Sequence, residues 1–508
     1  MTDRQAEVIA FLSRPGTHGG APVETVETHA ALIFLAGASA FKMKRAVRYD
    51  YLDFTALETR RAMLERELDL NGPTAPEIYR DVVAVTEGPG GLRLGGPGRA
   101  VEWLLRMVRF EAADELSAVA DRGLLDVPLA FRLGRAVARL HRAAPVRVVD
   151  GAALAEEIVA ELAAAFENME ESLGAEGTGA PLAALARAQA AQAALLGRRG
   201  ARGHVRRCHG DLHLGNIVLI GGRPVPFDAL EFDERLGTCD LVYDLGFLLM
   251  DMLHRGLRAE ANATLGAWAA AMGGTEDEGL AALPLFLALR AGIRAMVLVQ
   301  SDRAAGHAGR RDPEARRYTE EALAHLAPPA PRLVAIGGRS GTGKTTMARS
   351  LAHRLGPGIG ALHLMSDAER KIMLGVDPFL PLPAEAYCPA VSRHVYARLL
   401  ARADTALRAG VAVVLDATFL EPAQRTAAAD LAARHAVRFD GVWLDAPRRQ
   451  LITRVSARGD DASDADAAVI SRQPAVAEPG PGWRMIDATG SATDVTARLA
   501  AALDLTGL

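Results

Sequence analysis

Gly338-Arg339-Ser340-Gly341-Thr342-Gly343-Lys344-Thr345 decides the reading of this chain. The stretch satisfies G-x-x-x-x-G-K-[ST] in full. It stands between the apolar run Arg332-Leu333-Val334-Ala335-Ile336 and a helical pattern from Thr346 to Leu355. Strand, glycine-rich turn and helix in that order make an anion cradle: the glycines let backbone N–H groups turn inward and the helix N-terminus adds its positive end. The lysine reaches phosphate oxygens, and the Thr345 hydroxyl can ligate Mg²⁺. Gly338, Ser340, Gly341, Thr342, Gly343, Lys344, Thr345 and Thr346 are therefore the candidate nucleotide-binding residues.

Around this motif the pattern alternates, with strands expected near 332–337, 361–366, 411–417, 437–445 and 484–487 and helices between them. Such alternation predicts an α/β domain with a parallel sheet covered on both faces. The strand Val411-Ala412-Val413-Val414-Leu415-Asp416 ends in a carboxylate where this fold places its ligands, so Asp416 is a candidate Mg²⁺ residue behind Thr345. Asp367, at the tip of the second strand, could accept the proton of a substrate hydroxyl. Arg370 or Lys371 could hold an anionic part of that substrate. With GRSGTGKTT, SDAER, LDATF and PRRQLITRVSARG, this half resembles the small P-loop kinases, a group that includes gluconate kinase, polynucleotide kinase and the zeta-toxin-like enzymes. The resemblance implies ATP as donor, Asp367 as base, and Arg454 or Arg458 as lid arginines that neutralise the transferred phosphate.

Ala327-Pro328-Pro329-Ala330-Pro331 is a stiff connector placed just before the first of these strands, and it sets the expected boundary between residues 1–326 and 332–508. The N-terminal part opens with strands at Val23–Thr28, Ala31–Ala36 and Phe41–Arg45. A helix follows from Thr55 to about Leu70, capped by Asp53 or Thr55, and then strands around 78–86 and 102–110 separated by GPGGLRLGGPG. From Asp126 the pattern is helical, with an Ala-rich stretch at 152–196 and a short strand–loop–strand island at 205–228. The expectation is an α+β fold with a small β-rich lobe, about 1–110, and a larger helical lobe, about 111–326.

The island carries a second phosphate-handling pattern. His209-Gly210-Asp211-Leu212-His213-Leu214-Gly215-Asn216 has the H-x-D-x-x-x-x-N spacing of a kinase catalytic loop, in which the Asp accepts a hydroxyl proton and the Asn ligates Mg²⁺. Asp228 follows a Gly-Gly hairpin that brings it to the same end as Asn216, where it suits the second metal ligand. This half resembles the aminoglycoside-phosphotransferase-like kinases, a branch of the protein-kinase-like fold. The resemblance implies Asp211 as base, Asn216 and Asp228 on Mg²⁺, and Asp240 or Asp244 bracing the loop, with His209 structural. It also implies a strand lysine paired with a helix glutamate. Lys42 is favoured over Lys44, and Glu67 is favoured with Glu65 and Glu58 open. Met107–Phe110 would be the hinge at adenine. No G-x-G-x-x-G lies between the first two strands, so Thr28-His29-Ala30 must do its work. The whole order is similar to bacterial two-domain proteins that join these kinase types and are described as ATPases.

Composition limits the alternatives. At ~100–200 residues per domain, 508 residues predict several folding units. Lys plus Arg number 58 against 62 Asp plus Glu, a net −4, which provides no positive field for nucleic acid or an anionic membrane. Three separated cysteines (Cys208, Cys239, Cys388) and no signal or membrane-span pattern fit a reducing cytoplasm. Only four of the basic residues are lysines, Lys42, Lys44, Lys344 and Lys371, which makes each a candidate for a site that needs a compact ammonium. These features predict two ATP- and Mg²⁺-dependent phosphotransferase domains acting on hydroxyls of small molecules. The competing reading is a nucleotide-dependent regulator whose P-loop half is a switch and whose N-terminal half is a binding module.

Overall fold

Buried apolar side chains in Ala31–Ala36, Ser39–Lys44 and Arg99–Val108 line a six-stranded antiparallel sheet whose central pair is Ser39–Lys44 and Arg99–Val108. Its order is Val23–Glu27, Ala31–Ala36, Ser39–Lys44, Arg99–Val108, Tyr79–Gly88 and Gly91–Leu94. The computed structural model describes the chain apart from residues 1–2, 29, 50–51, 357, 377–379, 457–466, 475, 477 and 506–508. By backbone packing the described chain forms two units. The first takes in residues up to 125 together with 143–147 and 205–244, and the second takes in 126–142, 148–204 and 245 onward.

In the first unit, Phe34, Met43, Val85 and Leu104 pack against Val8 and Leu12 of an N-terminal helix, Asp3–Leu12. That helix was not expected from sequence, although Val8 and Leu12 stand at helical i, i+4 spacing. The helix Leu57–Asn71 buries Leu64 with Ile78, Leu105 and Val218. Its expected cap is corrected: Ala56 occupies the N-cap without a side-chain bond, and Asp53 instead accepts from the Thr55 N–H at 3.0 Å and hydroxyl at 2.6 Å, closing a turn ahead of the helix. The glycine-rich segment contains a further short strand, because Gly91 turns the chain at φ 91° and Leu92 and Leu94 then pack against the first core. The island consists of Val205–Arg207, paired with Thr238–Asp240, and the hairpin Ile217–Ile220 with Arg223–Pro226.

The second unit combines helices with a parallel sheet, and the proline-rich run 327–331 lies inside it. The Ala-rich stretch is two long helices, Gly151–Phe166, capped by Asp150, and Ala175–Ala201. Residues 277–304 are long and apolar enough to cross a membrane by composition, and 72% of their most apolar window is buried inside the protein. The five parallel strands run in the order Leu362–Met365, Val413–Asp416, Arg332–Gly338, Arg438–Asp445 and Trp483–Asp487. Central strands buried on both faces explain their near-continuous apolar runs. Val334, Ile336, Val414 and Val442 share one core with Met347 and Leu351 of the helix Lys344–Ala352 and with Val495 and Leu499 of the helix Ala492–Ala502.

A buried carboxylate ties helical segments of this unit together. Glu276 accepts from Arg199 Nη2 at 2.7 Å and meets His204 Nδ1 at 2.9 Å. Burial pushes its carboxyl up, but the His204 hydrogen bond and the Arg199 guanidinium outweigh that and hold it at about 2. A carboxyl depressed from 4.5 in this way stabilises the fold above that pH and loses the contribution as pH falls towards 2. The size is on the order of 3 kcal/mol. Glu276→Gln should therefore lower the urea midpoint at pH 7, and the gap to wild type should close between pH 5 and 2 when followed by circular dichroism.

Candidate functional site

In the first unit, strand alternation sends Lys42 and Lys44 to the same face, and both end on one helix carboxylate. Lys42 Nζ lies 2.7 Å from Glu67 Oε1, and Lys44 Nζ lies 2.7 Å from Glu67 Oε2. Each lysine has a second acid: Lys42 meets Asp228 Oδ1 at 2.6 Å and Lys44 meets Glu231 Oε1 at 2.5 Å. The result is an alternating row, Asp228–Lys42–Glu67–Lys44–Glu231, with Glu67 fully enclosed. Burial lowers the Lys42 ammonium, but the charges of Asp228, Glu67 and Glu231 outweigh it and raise it well above its usual range. Burial likewise raises Asp228, and the Lys42 charge and hydrogen bond bring it down to about 2. Of the three glutamates left open by sequence, Glu67 meets the lysines, while Glu65 pairs with Arg61 at 2.9 Å.

The loop before the hairpin is held from behind. Asp244 accepts from the N–H groups of His209 (3.3 Å) and Gly210 (2.8 Å), whereas Asp240 accepts from Val242 N in its own following turn. Gly210 has φ 84°, and a Cβ there would stand 3.0 Å from Leu230 Cδ1. His209 is buried and its Nε2 sits 2.8 Å from Phe227 O. Asn216 Nδ2 donates to Asp211 O (2.9 Å) and Oδ2 (3.0 Å), and Phe227 N donates to Asn216 O (2.9 Å). The hairpin thus brings Asp211, Asn216 and Asp228 to one end. Asp228 stands at φ 62°, a strained backbone for a non-glycine residue, and its N–H is fixed by Tyr79 Oη at 3.0 Å while Asn71 Oδ1 holds Ala229 N at 2.9 Å. In the first turn, Ala31 N donates to Thr28 Oγ1 at 3.0 Å, and His29 lies outside the described residues.

In the second unit the glycine-rich loop rims a cavity of about 520 Å³. Gly338, at φ 139°, has no room for a side chain: a Cβ would sit 2.5 Å from Leu444 O. Gly343, at φ 90°, starts the helix whose first residue is Lys344. Lys344 Nζ lies 3.1 Å from Arg339 O, and Thr345 Oγ1 donates to Asp416 Oδ2 at 2.7 Å. Burial raises the Asp416 carboxyl, but the His363 hydrogen bond, the nearby charges and Thr345 together bring it below its usual range. Asp367 and Arg370 line the same cavity from the helix Ser366–Met373. Arg370 is buried, with Nη1 on Ala386 O at 2.7 Å and its guanidinium over the Tyr387 ring at 4.6 Å. Tyr396, pushed up to about 12 by burial, lines the cavity and accepts from Phe419 N at 2.9 Å.

The lid expectation changes. Arg454 Nη2 donates to Ala488 O (2.9 Å) and Gly490 O (3.2 Å) and is not a wall of the cavity, because its helix presents it to the loop after the last strand; Arg458 lies outside the described residues. A residue that sequence reasoning missed reaches the loop instead. Gln473 Oε1 accepts from Ser340 N at 2.8 Å, and its Nε2 donates to Ser340 Oγ at 3.0 Å. Glu231, Tyr79 and Asn71 were also missed as parts of the first site, whereas Lys44 was weighed as the alternative to Lys42 and shares Glu67 with it. Among the described residues no three His, Cys, Asp or Glu side chains converge as a ready-made metal site.

Comparison with known proteins finds two family models, each matching part of the chain. Residues 91–283 match the model of the phosphotransferase enzyme family, and residues 333–479 match that of an AAA domain. Uncharacterized proteins of Mycobacterium tuberculosis and Mycobacterium bovis are 28% identical over 465 residues, covering 89% of this chain and 90% of theirs. A choline/ethanolamine kinase family protein from Mesorhizobium loti aligns at 16% identity over 64% of this chain and 98% of its own, with TM-score 0.38. A gluconokinase from Sinorhizobium meliloti 1021 aligns at 18% identity over 35% and 98%, with TM-score 0.24.

The buried row in the first unit has a thermodynamic signature. Lys44→Met leaves Glu231 without a counter-charge and should destabilise the protein by about 3–5 kcal/mol. Lys44→Met with Glu231→Met removes both charges and should regain more than half of that loss in thermal unfolding.

Proposed function

We propose that this chain, which joins a phosphotransferase-family domain to a P-loop domain, is a bifunctional ATP-dependent kinase with modules at 1–326 and 332–508 linked by 327–331. Each module transfers the γ-phosphoryl group of ATP to a hydroxyl of a small molecule. The observation that carries the reading is the unbroken line of contacts from Lys42 through Asp228, Phe227 and Asn216 to Asp211. A phosphate-binding lysine, two oxygen ligands and a separate carboxylate stand together there, as phosphoryl transfer requires.

In this reading Lys42, oriented by Glu67, holds ATP phosphates, and Asn216 and Asp228 are the oxygen ligands for Mg²⁺. The set suits that ion, which is held by one or two side-chain oxygens together with phosphates and water rather than by a full protein cage. Asp211 takes the proton of the acceptor hydroxyl as its oxygen bonds to the γ-phosphorus and the bond to the ADP oxygen breaks. In the second module the backbone N–H groups of 340–346 and Lys344 cradle the phosphates. Thr345, backed by Asp416, contributes to Mg²⁺, Asp367 is the base, and Arg370 faces the acceptor. When bound, the metal neutralises phosphate charge; orientation and the proton acceptor come from the side chains. Free thiols at Cys208, Cys239 and Cys388 support a reducing cytoplasmic setting.

ATP turnover of Asp211→Ala and Lys344→Ala beside wild type, with and without a pool of hydroxyl-bearing metabolites, tests the reading. Each variant should lose a separate, metabolite-stimulated share. Loss in Lys344→Ala alone, with no stimulation, would favour a regulatory ATPase. Gln473 gives an independent measure of the P-loop. Its amide oxygen occupies a loop N–H that a phosphate oxygen would take, so Gln473→Ala should bind MgADP several-fold tighter by calorimetry, provided that MgADP engages Ser340 N.

A further inference from the structure

The strand Leu362–Met365 and the helix Ser366–Met373 deliver Asp367 and Arg370 to the P-loop cavity, and the helical segments of the second unit hold this element at both ends. Just before the strand, Asn262 Nδ2, from the helix Arg258–Ala271, donates to Ile359 O at 2.9 Å and Ala361 O at 3.0 Å. Asn262 is buried, and its single NH₂ group satisfies two carbonyls where the chain enters the sheet. On the helix that follows, Glu369 is 1% exposed and is not a wall of the cavity. Its Oε1 accepts from Arg402 Nη1 and its Oε2 from Arg398 Nε at 2.8 Å, both on the helix Pro389–Arg408. Arg402 continues to the helical segments, where its Nε and Nη2 grip Asp277 Oδ2 and Oδ1 at 2.7 and 2.9 Å. Arg398 reaches Gly273 O in the same segment.

The fork geometry leaves little freedom. Arg402 is bidentate on Asp277 and spends its remaining terminal nitrogen on Glu369, so the position of Asp277 is transmitted through a planar, rigid group to the turn that carries Asp367 and Arg370. Two arginines and two carboxylates balance in charge, and Asp277, like Glu369, is 1% exposed, so salt screens the connection between them much less than it would a surface pair. Gly274 is held close as well, since a Cβ there would stand 2.6 Å from Arg402 Nε.

We infer that Asn262 and Asp277, the latter acting through Arg402, are positioning residues for the P-loop site, setting where Asp367 and Arg370 stand relative to the nucleotide loop. The inference rests on the reading of this half as a phosphotransferase. Transfer between two bound groups loses about a hundredfold for a displacement near 1 Å, so residues that touch neither substrate can govern it.

The test uses the full chain carrying Asp211→Asn, which silences the first module. Into this parent go Asp277→Asn, Asp277→Glu and Asn262→Ala, with Glu276→Gln as the neighbouring control. Three quantities are read: MgADP affinity by calorimetry, the ATP turnover that Lys344→Ala abolishes, and hydrogen exchange of peptides covering 366–373 and 344–352. Asp277→Asn and Asn262→Ala should lower turnover about tenfold or more. MgADP affinity should stay within about twofold, and exchange should quicken at 366–373 but not at 344–352. Asp277→Glu should recover part of the turnover and Glu276→Gln should keep it. Unchanged turnover overturns the inference, as does a parallel loss of turnover, affinity and protection at both peptides, the mark of general destabilisation. If the parent shows no Lys344-dependent turnover, the phosphotransferase reading fails and exchange alone decides: selective loosening at 366–373 retains the positioning role, and unchanged protection there overturns it.

Discussion

A charge removed from water must find its opposite inside the protein, and in this molecule that requirement organises both candidate sites. Glu67 is fully enclosed and both of its oxygens are taken by lysines. The strand Ser39–Lys44, the helix Leu57–Asn71 and the segment 228–231 converge there, so that each lysine has a second acid, Asp228 for Lys42 and Glu231 for Lys44. The strained backbone at Asp228 is tolerable in that setting. Its carboxylate is anchored on Lys42 and its N–H on Tyr79, so the surroundings over-determine the conformation.

The same requirement is met differently in the second unit. Arginine is the prevailing cation of this chain, and the forks of Arg199 and Arg402 each engage buried carboxylates that belong to other segments. Of the four lysines, Lys42 and Lys44 share Glu67, and Lys344 lines the cavity beside the glycine-rich loop. The separation follows the chemistry of the two groups, a rigid planar fork against a small, strongly hydrated point charge.

Much of this was readable along the chain, and what was not has a common cause. The glycine-rich turn between strand and helix and the five-strand alternation are local patterns, and the structure has these elements close to the expected residues. The Asn216–Asp228 proximity was also legible, because a two-strand hairpin carries its own geometry. Lys42 could be paired with Glu67 only by resemblance, and the Glu231 partner of Lys44 was hidden because it lies 187 residues away. Asp240 and Asp244 could not be told apart from spacing alone, since the turn and helix that carry them decide which one faces the loop. Gln473 had no signature: an amide 133 residues from its partner belongs to no local motif. The cap of the helix Leu57–Asn71 was misplaced because Asp53 and Thr55 satisfy each other first, a competition that a capping rule does not weigh.

Asn262 also bears on the order in which the molecule is made. The ribosome releases the helix Arg258–Ala271 about a hundred residues before Ile359 and Ala361, the carbonyls that its amide binds. Until those residues emerge, the helical segments carry an amide built for partners not yet synthesised, together with Asp277, whose guanidinium still lies in the ribosome at position 402. Completion of these buried contacts therefore waits on the last third of the chain, and in a product truncated near the proline-rich run the Asn262 amide and the Asp277 carboxylate would be met by water instead of by Ile359, Ala361 and Arg402.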